Sequence, residues 1–265
     1  MPKIKVDDLN LYYEIHGEGF PLVMIMGISC DTYWWDATII NSLAIKFKII
    51  VFDHIGIGRS NGSARNQIKK MADDTVGLMN ALNVDKAHIF GFSMGGMIAQ
   101  ELILNYPEKV EKLILCSTNC GGNKSVPASN EVLQLMMSFT RHDHDTKIAK
   151  QLIPLIFTED FMRNNSKYIN EKLEDMVKNI TLAGNYANHL QAGMKHDTRS
   201  RLNQIKSPTL ILHGKNDVLI PPENGEILAN LIPGAELKYF DEPAHWIFVP
   251  DDKLISNAIL DFLTN

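Results

Sequence analysis

A serine set among glycines, Gly91-Phe92-Ser93-Met94-Gly95-Gly96, stands between an apolar run at residues 87–90 and a helix-like stretch at residues 97–106. A strand that turns abruptly into a helix throws the turn side chain outward. The glycines two before and two after it permit the strained backbone and the close approach of strand and helix. A serine held there is exposed, with its hydroxyl at the positive end of the following helix. Gly-x-Ser-x-Gly by itself recurs as an ordinary glycine-rich turn. The flanking Ala-His-Ile-Phe and Met-Ile-Ala-Gln-Glu-Leu make Ser93 a candidate nucleophile for acyl transfer.

Such a nucleophile needs a base, an acid and an oxyanion hole. The buried-strand pattern Thr209-Leu-Ile-Leu-His213 leads into Gly214-Lys-Asn-Asp217, which places a carboxylate just past a strand's carboxyl end. Leu237-Lys-Tyr-Phe240 reads as another short strand, followed by Asp241-Glu-Pro-Ala-His245-Trp246. The order Ser, Asp, His, each on a strand-end loop, belongs to one convergent triad lineage and not to the chymotrypsin or subtilisin orders. Asp241 and Glu242 lie nearer His245 in sequence, but they precede its loop and are expected in turn contacts. His213 and His88 are expected to be structural, and Asp53 with Arg59 to hydrogen-bond within a loop. Arg141-His142-Asp143-His144-Asp145 is a charged run without further metal ligands, expected to be solvated.

The elements that must position these groups alternate. Residues 11–16 read as a strand, and the continuous apolar runs 22–26 and 47–52 as strands buried on both faces. Residues 34–45 and 71–82 read as helices; 110–116 and 208–212 continue the sheet, and 253–263 close the chain as an amphipathic helix. Buried strands alternating with helices predict an α/β fold with a mostly parallel sheet covered on both faces. Active sites in such sheets gather at the strands' carboxyl ends, where all three candidate residues fall. Between about residue 117 and residue 209 the rhythm breaks, over a length too great for a loop. Helical spacing at 130–139, 145–157, 168–180 and 185–194 predicts a helical cap, residues 121–200, inserted in a core of residues 1–120 and 201–265. Met136, Met137, Met162, Met176 and Met194 fall in it; methionine adapts its shape, so they are candidates for an acyl pocket or for cap–core filler.

Taken together, Phe52-Asp-His-Ile-Gly-Ile-Gly-Arg-Ser60, Gly91 to Glu101, Tyr106-Pro-Glu-Lys-Val110, Leu113 to Thr118, His213-Gly-x-x-Asp217 and Ala244-His245 resemble the α/β-hydrolase-fold serine hydrolases. Among these the chain is most similar to the small carboxylesterases and lactonases grouped with 3-oxoadipate enol-lactonase. The likeness covers most of the chain and is loose at residues 121–198. It implies the α/β-hydrolase fold and cleavage of small to medium acyl esters or lactones by a Ser93-His245-Asp217 triad through an acyl-enzyme. Oxyanion charge would meet the N–H of Met94, after the nucleophile, and by residue-to-residue match the N–H of Ile28. Family members commonly carry His-Gly where this chain has Met26-Gly27, which puts the hydrogen bonding of that loop in question. Ser29, Phe92 and Trp246 are candidate pocket residues. Ser117-Thr118-Asn119, where some relatives place the acid, holds no carboxylate. An aspartate nucleophile, as in dehalogenases and epoxide hydrolases of this fold, is excluded by Ser93. A carbon–carbon bond hydrolase on the same triad, or a small-molecule receptor on the hydrolase scaffold, stays open.

Composition fits. At 265 residues and 29.8 kDa, with 45% hydrophobic and 22% charged residues, the chain can bury a large core. A net charge of −5 argues against nucleic acid as the main partner. The expected partner is a small ester or lactone, with no membrane span and with self-association left open. No basic start precedes an apolar run, so a cytoplasmic protein is expected. Cys30, Cys116 and Cys120 form an odd set without zinc-ligand spacing, read as reduced thiols. No phosphate-cradling glycine loop appears, and neither cofactor nor metal is expected.

Overall fold

The structure is a computed structural model of the chain, and it describes residues 2–141, 146–178, 181–248 and 253–265. The His142–Asp145 part of the charged run lies outside the described residues. Strands β1 (Lys3–Val6), β2 (Leu9–His16), β3 (Phe20–Ile25), β4 (Phe47–Phe52), β5 (Ala87–Phe92), β6 (Val110–Cys116), β7 (Thr209–Gly214) and β8 (Glu236–Phe240) make one sheet. Their order is β1-β2-β4-β3-β5-β6-β7-β8, antiparallel at β1-β2-β4 and parallel from β4 to β8.

Side-chain alternation explains why the central strands are apolar throughout. Val23, Ile25, Ile50, Phe52 and Ile89 face one side of the sheet and pack with α2 (Ile68–Ala81) and α3 (Met94–Asn105). Leu22, Met24, Ile49, Val51 and Phe90 face the other and pack with α1 (Ala37–Ala44) and α10 (Leu254–Thr264). A parallel sheet covered on both faces needs both sets, so the polar–apolar alternation of a half-exposed strand disappears.

Between β6 and β7 run α4 (Asn130–Ser138), α5 (Thr146–Ile156), α6 (Glu159–Asn164), α7 (Ser166–Lys178) and α8 (Ala183–Met194). Ile153, Phe157 and Ile169 from this stretch join the second core cluster, so it is packed onto the α/β core. Helix α9 (Glu223–Leu231) lies between β7 and β8. The helix expected over 34–45 is shorter: Asp31 caps a single 3-10 turn at Thr32–Trp34, and Asp36 accepts the Thr38 N–H to start α1 afresh. Among the described residues no helix is long and apolar enough to cross a membrane.

Candidate active site

Ser93 sits between β5 and α3 with φ 55° and ψ −120°, backbone that an L residue rarely adopts. Such a conformation costs on the order of 1–3 kcal/mol and persists only where its surroundings enforce it. Here Ser93 N–H donates to the Cys116 carbonyl at 2.8 Å, and its own carbonyl accepts Gly96 N–H at 2.9 Å. A Cβ at Gly91 would strike the Gly95 carbonyl, and one at Gly95 would strike that of Ile25. The two glycines let α3 rise directly against β5 and β3.

Asp217 follows β7 and His245 follows β8, and the sheet brings both to Ser93. His245 Nε2 lies 2.9 Å from Ser93 Oγ, and His245 Nδ1 lies 2.7 Å from Asp217 Oδ2. Asp217 Oδ1 accepts the N–H groups of Leu219 at 2.9 Å and Ile220 at 2.8 Å. His213 Nε2 donates to the Ile220 carbonyl at 2.8 Å and also lies 3.4 Å from Asp217 Oδ2. Burial pushes the Asp217 carboxyl up, but the facing His245 and the hydrogen bonds from the two histidines outweigh it and hold the group below its ordinary range. The carboxylate is therefore charged at neutral pH and able to orient the imidazole.

Asp241 and Glu242 lie apart from this row. Their backbone carbonyls accept Asn216 Nδ2, and the Asp241 carboxylate pairs with Lys215. Asp53 receives Arg59 Nε at 3.0 Å, and His88 is buried against Phe20 and Phe47, with burial lowering its imidazole to about 4. Cys30, Cys116 and Cys120 are free thiols.

The loop after β3 runs beside Ser93: a Cβ on Gly27 would lie 3.1 Å from the Ser93 Cβ. The N–H groups of Ile28 and Met94 donate to nothing among the described residues. With Met26 in place of histidine, the support of this loop comes from elsewhere. His54, after β4, donates Nε2–H to the Met26 carbonyl at 3.0 Å. His189, on α8, accepts the Ser29 N–H on Nδ1 at 3.1 Å, and Thr181 Oγ1 donates to the Ser29 carbonyl at 3.0 Å. The two imidazoles meet edge to face at 5.7 Å. Burial holds both below the usual histidine value, His189 far below it with His54 adding to the shift. Sequence alone singled out neither histidine, nor Thr181; no spacing pattern links them to the loop.

Above Ser93 opens a cleft of about 960 Å³, its mouth counted. Ser29, Phe92 and Trp246 line it, and Trp34, Leu152, Ile156, Leu219 and Ile220 add apolar wall. The Phe92 ring lies 5.1 Å from that of His245 and 5.0 Å from that of Trp246, joining the wall to the reacting groups. Of the five methionines, Met136 and Met176 line the cleft, Met162 packs against the core, and Met137 and Met194 are exposed. Among the described lining residues none is Lys or Arg. Lys172 is instead buried among the rings of Trp34, Tyr168 and Trp246, donating to the Trp34 carbonyl at 3.3 Å.

A family model described as the alpha/beta hydrolase fold matches residues 21–252. The chain belongs to the α/β hydrolase fold family. It is 28% identical over 263 residues to a protein of Azorhizobium caulinodans named carbamate hydrolase RutD, covering 99% of this chain and 98% of the relative. It is 29% identical to the 2-hydroxy-6-oxononadienedioate/2-hydroxy-6-oxononatrienedioate hydrolase 1 of Pseudomonas putida, covering 97% of this chain and 93% of that one. Among solved structures it resembles the enol-lactonase from Burkholderia xenovorans, with a TM-score of 0.89, 26% identity and full coverage of both chains. These similar proteins are named as hydrolases of different bonds, so the comparisons support a hydrolase and leave the bond to be argued from the site.

Proposed function

We propose that this protein is a serine hydrolase of carboxylic esters, taking small to medium acyl esters or lactones and working through an acyl-enzyme. The observation that carries the reading is the unbroken row Asp217–His245–Ser93, with contacts of 2.7 and 2.9 Å, opening into an apolar cleft. In this mechanism His245 Nε2 takes the Ser93 proton as Oγ attacks the carbonyl carbon, and the charge on the carbonyl oxygen meets the N–H groups of Ile28 and Met94. Asp217 keeps the other imidazole proton on Nδ1, so that Nε2 is free to accept. The tetrahedral intermediate collapses as His245 protonates the departing alcohol. Water, deprotonated by the same Nε2, then attacks the acyl-enzyme and releases the acid. Helices α4 to α8, within residues 121–200, act as the cap that shapes the acyl pocket.

The cleft wall also argues on substrate class. A dicarboxylate, as named for the Pseudomonas putida relative, brings anionic groups that need a cation or several donors to replace lost hydration. The described wall offers hydrocarbon, rings and neutral hydroxyls, which suit a neutral ester or lactone with an apolar acyl part. The test is hydrolysis of a chain-length series of p-nitrophenyl esters beside small lactones, a carbamate and a vinylogous 1,5-diketone acid, with Ser93→Ala in parallel. Ester or lactone turnover that vanishes in Ser93→Ala supports the reading. Turnover of the diketone acid alone replaces it with carbon–carbon cleavage, and binding without any turnover replaces it with a receptor.

A further inference from the structure

We infer that His189 is a positioning residue of this site: carried on α8 outside the α/β core, it holds the turn whose Ile28 N–H faces the developing oxyanion. The inference rests on the hydrolase reading above. Ser29 is gripped at both of its backbone groups by the chain between β6 and β7, its N–H by His189 Nδ1 at 3.1 Å and its carbonyl by Thr181 Oγ1 at 3.0 Å. Within the turn itself the closing bond, Cys30 N–H to the Gly27 carbonyl, is a long 3.5 Å. The turn is therefore held more firmly from outside than from within.

Ser29 has φ 55°. In a tight turn with positive φ at the third residue, the central peptide faces opposite to its direction in a turn with both φ values negative. A residue bearing a Cβ prefers the second form, which would swing the Ser29 N–H away. An acceptor fixed at that N–H selects the first form, and His189 Nδ1 is that acceptor. Ile28 N–H lies one peptide earlier in the same turn, next to Gly27, which abuts Ser93. Displacing the central peptide displaces this donor, and oxyanion stabilisation falls steeply with such misplacement.

The rest of the His189 ring supports an acceptor role over simple packing. With Nδ1 accepting, the proton is on Nε2, and among the described residues the buried Nε2 has no hydrogen-bond partner. A buried donor left unpaired is unfavourable, and an apolar side chain would fill the space without that cost. Burial and the neighbouring His54 keep the imidazole neutral, so Nδ1 retains its lone pair. His54 holds the preceding carbonyl, Met26, from the core side at 3.0 Å. The oxyanion turn is thus clamped between a core histidine and a histidine of the helical segment above it, so that the segment which shapes the cleft also sets the donor.

The test measures Ser93 reactivity independently of the natural substrate. A fluorophosphonate forms a Ser93 Oγ–phosphorus bond as its phosphorus–fluorine bond breaks, fluoride departs, the hydroxyl proton passes to His245, and the phosphoryl oxygen occupies the oxyanion position. His189→Ala should slow labelling by about 10- to 100-fold and lower kcat on an ester alike, with KM within about threefold. His189→Gln, whose amide oxygen reaches the same N–H, should recover to within about fivefold of the parent, and Thr181→Val should lose less than His189→Ala. Labelling of a folded His189→Ala protein within twofold of the parent overturns the inference. So does a Gln variant as slow as Ala, which would mark a merely structural role. A parent that is not labelled at all overturns the hydrolase reading and this inference together, an outcome distinct from the other two.

Discussion

Asp217→Asn tests the proposed mechanism most sharply, because the surroundings of the carboxylate decide which way an amide must face. Oδ1 of Asp217 accepts two backbone N–H groups, at 2.9 and 2.8 Å, while Oδ2 accepts from His245 Nδ1 at 2.7 Å. In the variant the amide oxygen keeps the two N–H bonds and the NH2 group takes the place of Oδ2. That group can only donate, so the His245 proton is driven from Nδ1 to Nε2 and points at Ser93 Oγ. The base can no longer accept. Turning the amide over would restore the tautomer but set its NH2 against two N–H donors. Leaving those bonds unmade costs about 1–3 kcal/mol each, or about 2–6 kcal/mol together. At about 1.4 kcal/mol per tenfold, the productive form is depleted by roughly 30-fold to 2 × 10⁴-fold. That range reaches the loss of about 10⁴ known for the same substitution in a serine protease of another fold. Steady-state kinetics on the best p-nitrophenyl ester, with folding checked by circular dichroism, should show kcat reduced by roughly 30-fold to 2 × 10⁴-fold and KM little changed. A loss below tenfold in folded protein, with Ser93→Ala still inactive, would refute Asp217 as the orienting acid and turn attention to Asp241 and Glu242.

Three further outcomes follow from separate features. Gly95→Ala drives a Cβ into the Ile25 carbonyl, a backbone atom that cannot rotate away; thermal or urea unfolding should show a loss of about 3 kcal/mol or failure to fold. Leu152→Trp adds bulk to the cleft wall; the preferred acyl chain in the p-nitrophenyl series should shorten by about two to four carbons, at about 0.8 kcal/mol of binding lost per methylene excluded. Asp31 is buried, and burial first, with Asp53 adding to it, raises its carboxyl from an ordinary 3.8 to about 6. A carboxyl raised in the folded state contributes stability that is fully present below the unfolded value and lost as pH rises through the folded one. A shift of about two units corresponds to roughly 3 kcal/mol at most, so Asp31→Asn should gain about 1–2 kcal/mol in urea unfolding at pH 8 and nothing at pH 4. An equal effect at both pH values would show that ionisation of Asp31 is not what matters.

The fold was legible where burial leaves a local trace. β3 and β5 read as uninterrupted apolar runs because Val23 and Leu22, Ile89 and Phe90 each face a covered side of the sheet. The helices shaped by three-to-four spacing were visible too, with errors where a short polar contact outranks periodicity. Trp34 to Ile45 looked like one helix, but two aspartate caps five residues apart, Asp31 and Asp36, divide it. α6, at six residues, is too short to show a period, and α9 begins after Pro221-Pro222 with no cap side chain. Pocket lining was harder to read, because which of the methionines between β6 and β7 lines the cleft depends on how separate helices pack.

The same division runs through the site itself. Ser93, Asp217 and His245 each announce themselves locally: a nucleophile elbow needs glycines at fixed offsets, and a strand-end loop needs a strand before it. Asp217 outranks Asp241 for a reason visible only in three dimensions. The Leu219 and Ile220 N–H groups fix one carboxylate oxygen and leave the other for His245, whereas the Asp241 carboxylate is turned to Lys215. The proposed oxyanion loop, with Met26 where the resembled family carries histidine, has no visible support in sequence. The support exists, but it comes from His54 and from His189, the latter 160 residues from its partner Ser29. A hydrogen bond of that span leaves no periodicity, spacing or composition to read. On the proposed reading, reaction chemistry is written locally and its alignment non-locally, through the segment that carries His189. A substitution between β6 and β7 would then alter both the proposed acyl pocket and the hold on the proposed oxyanion donor.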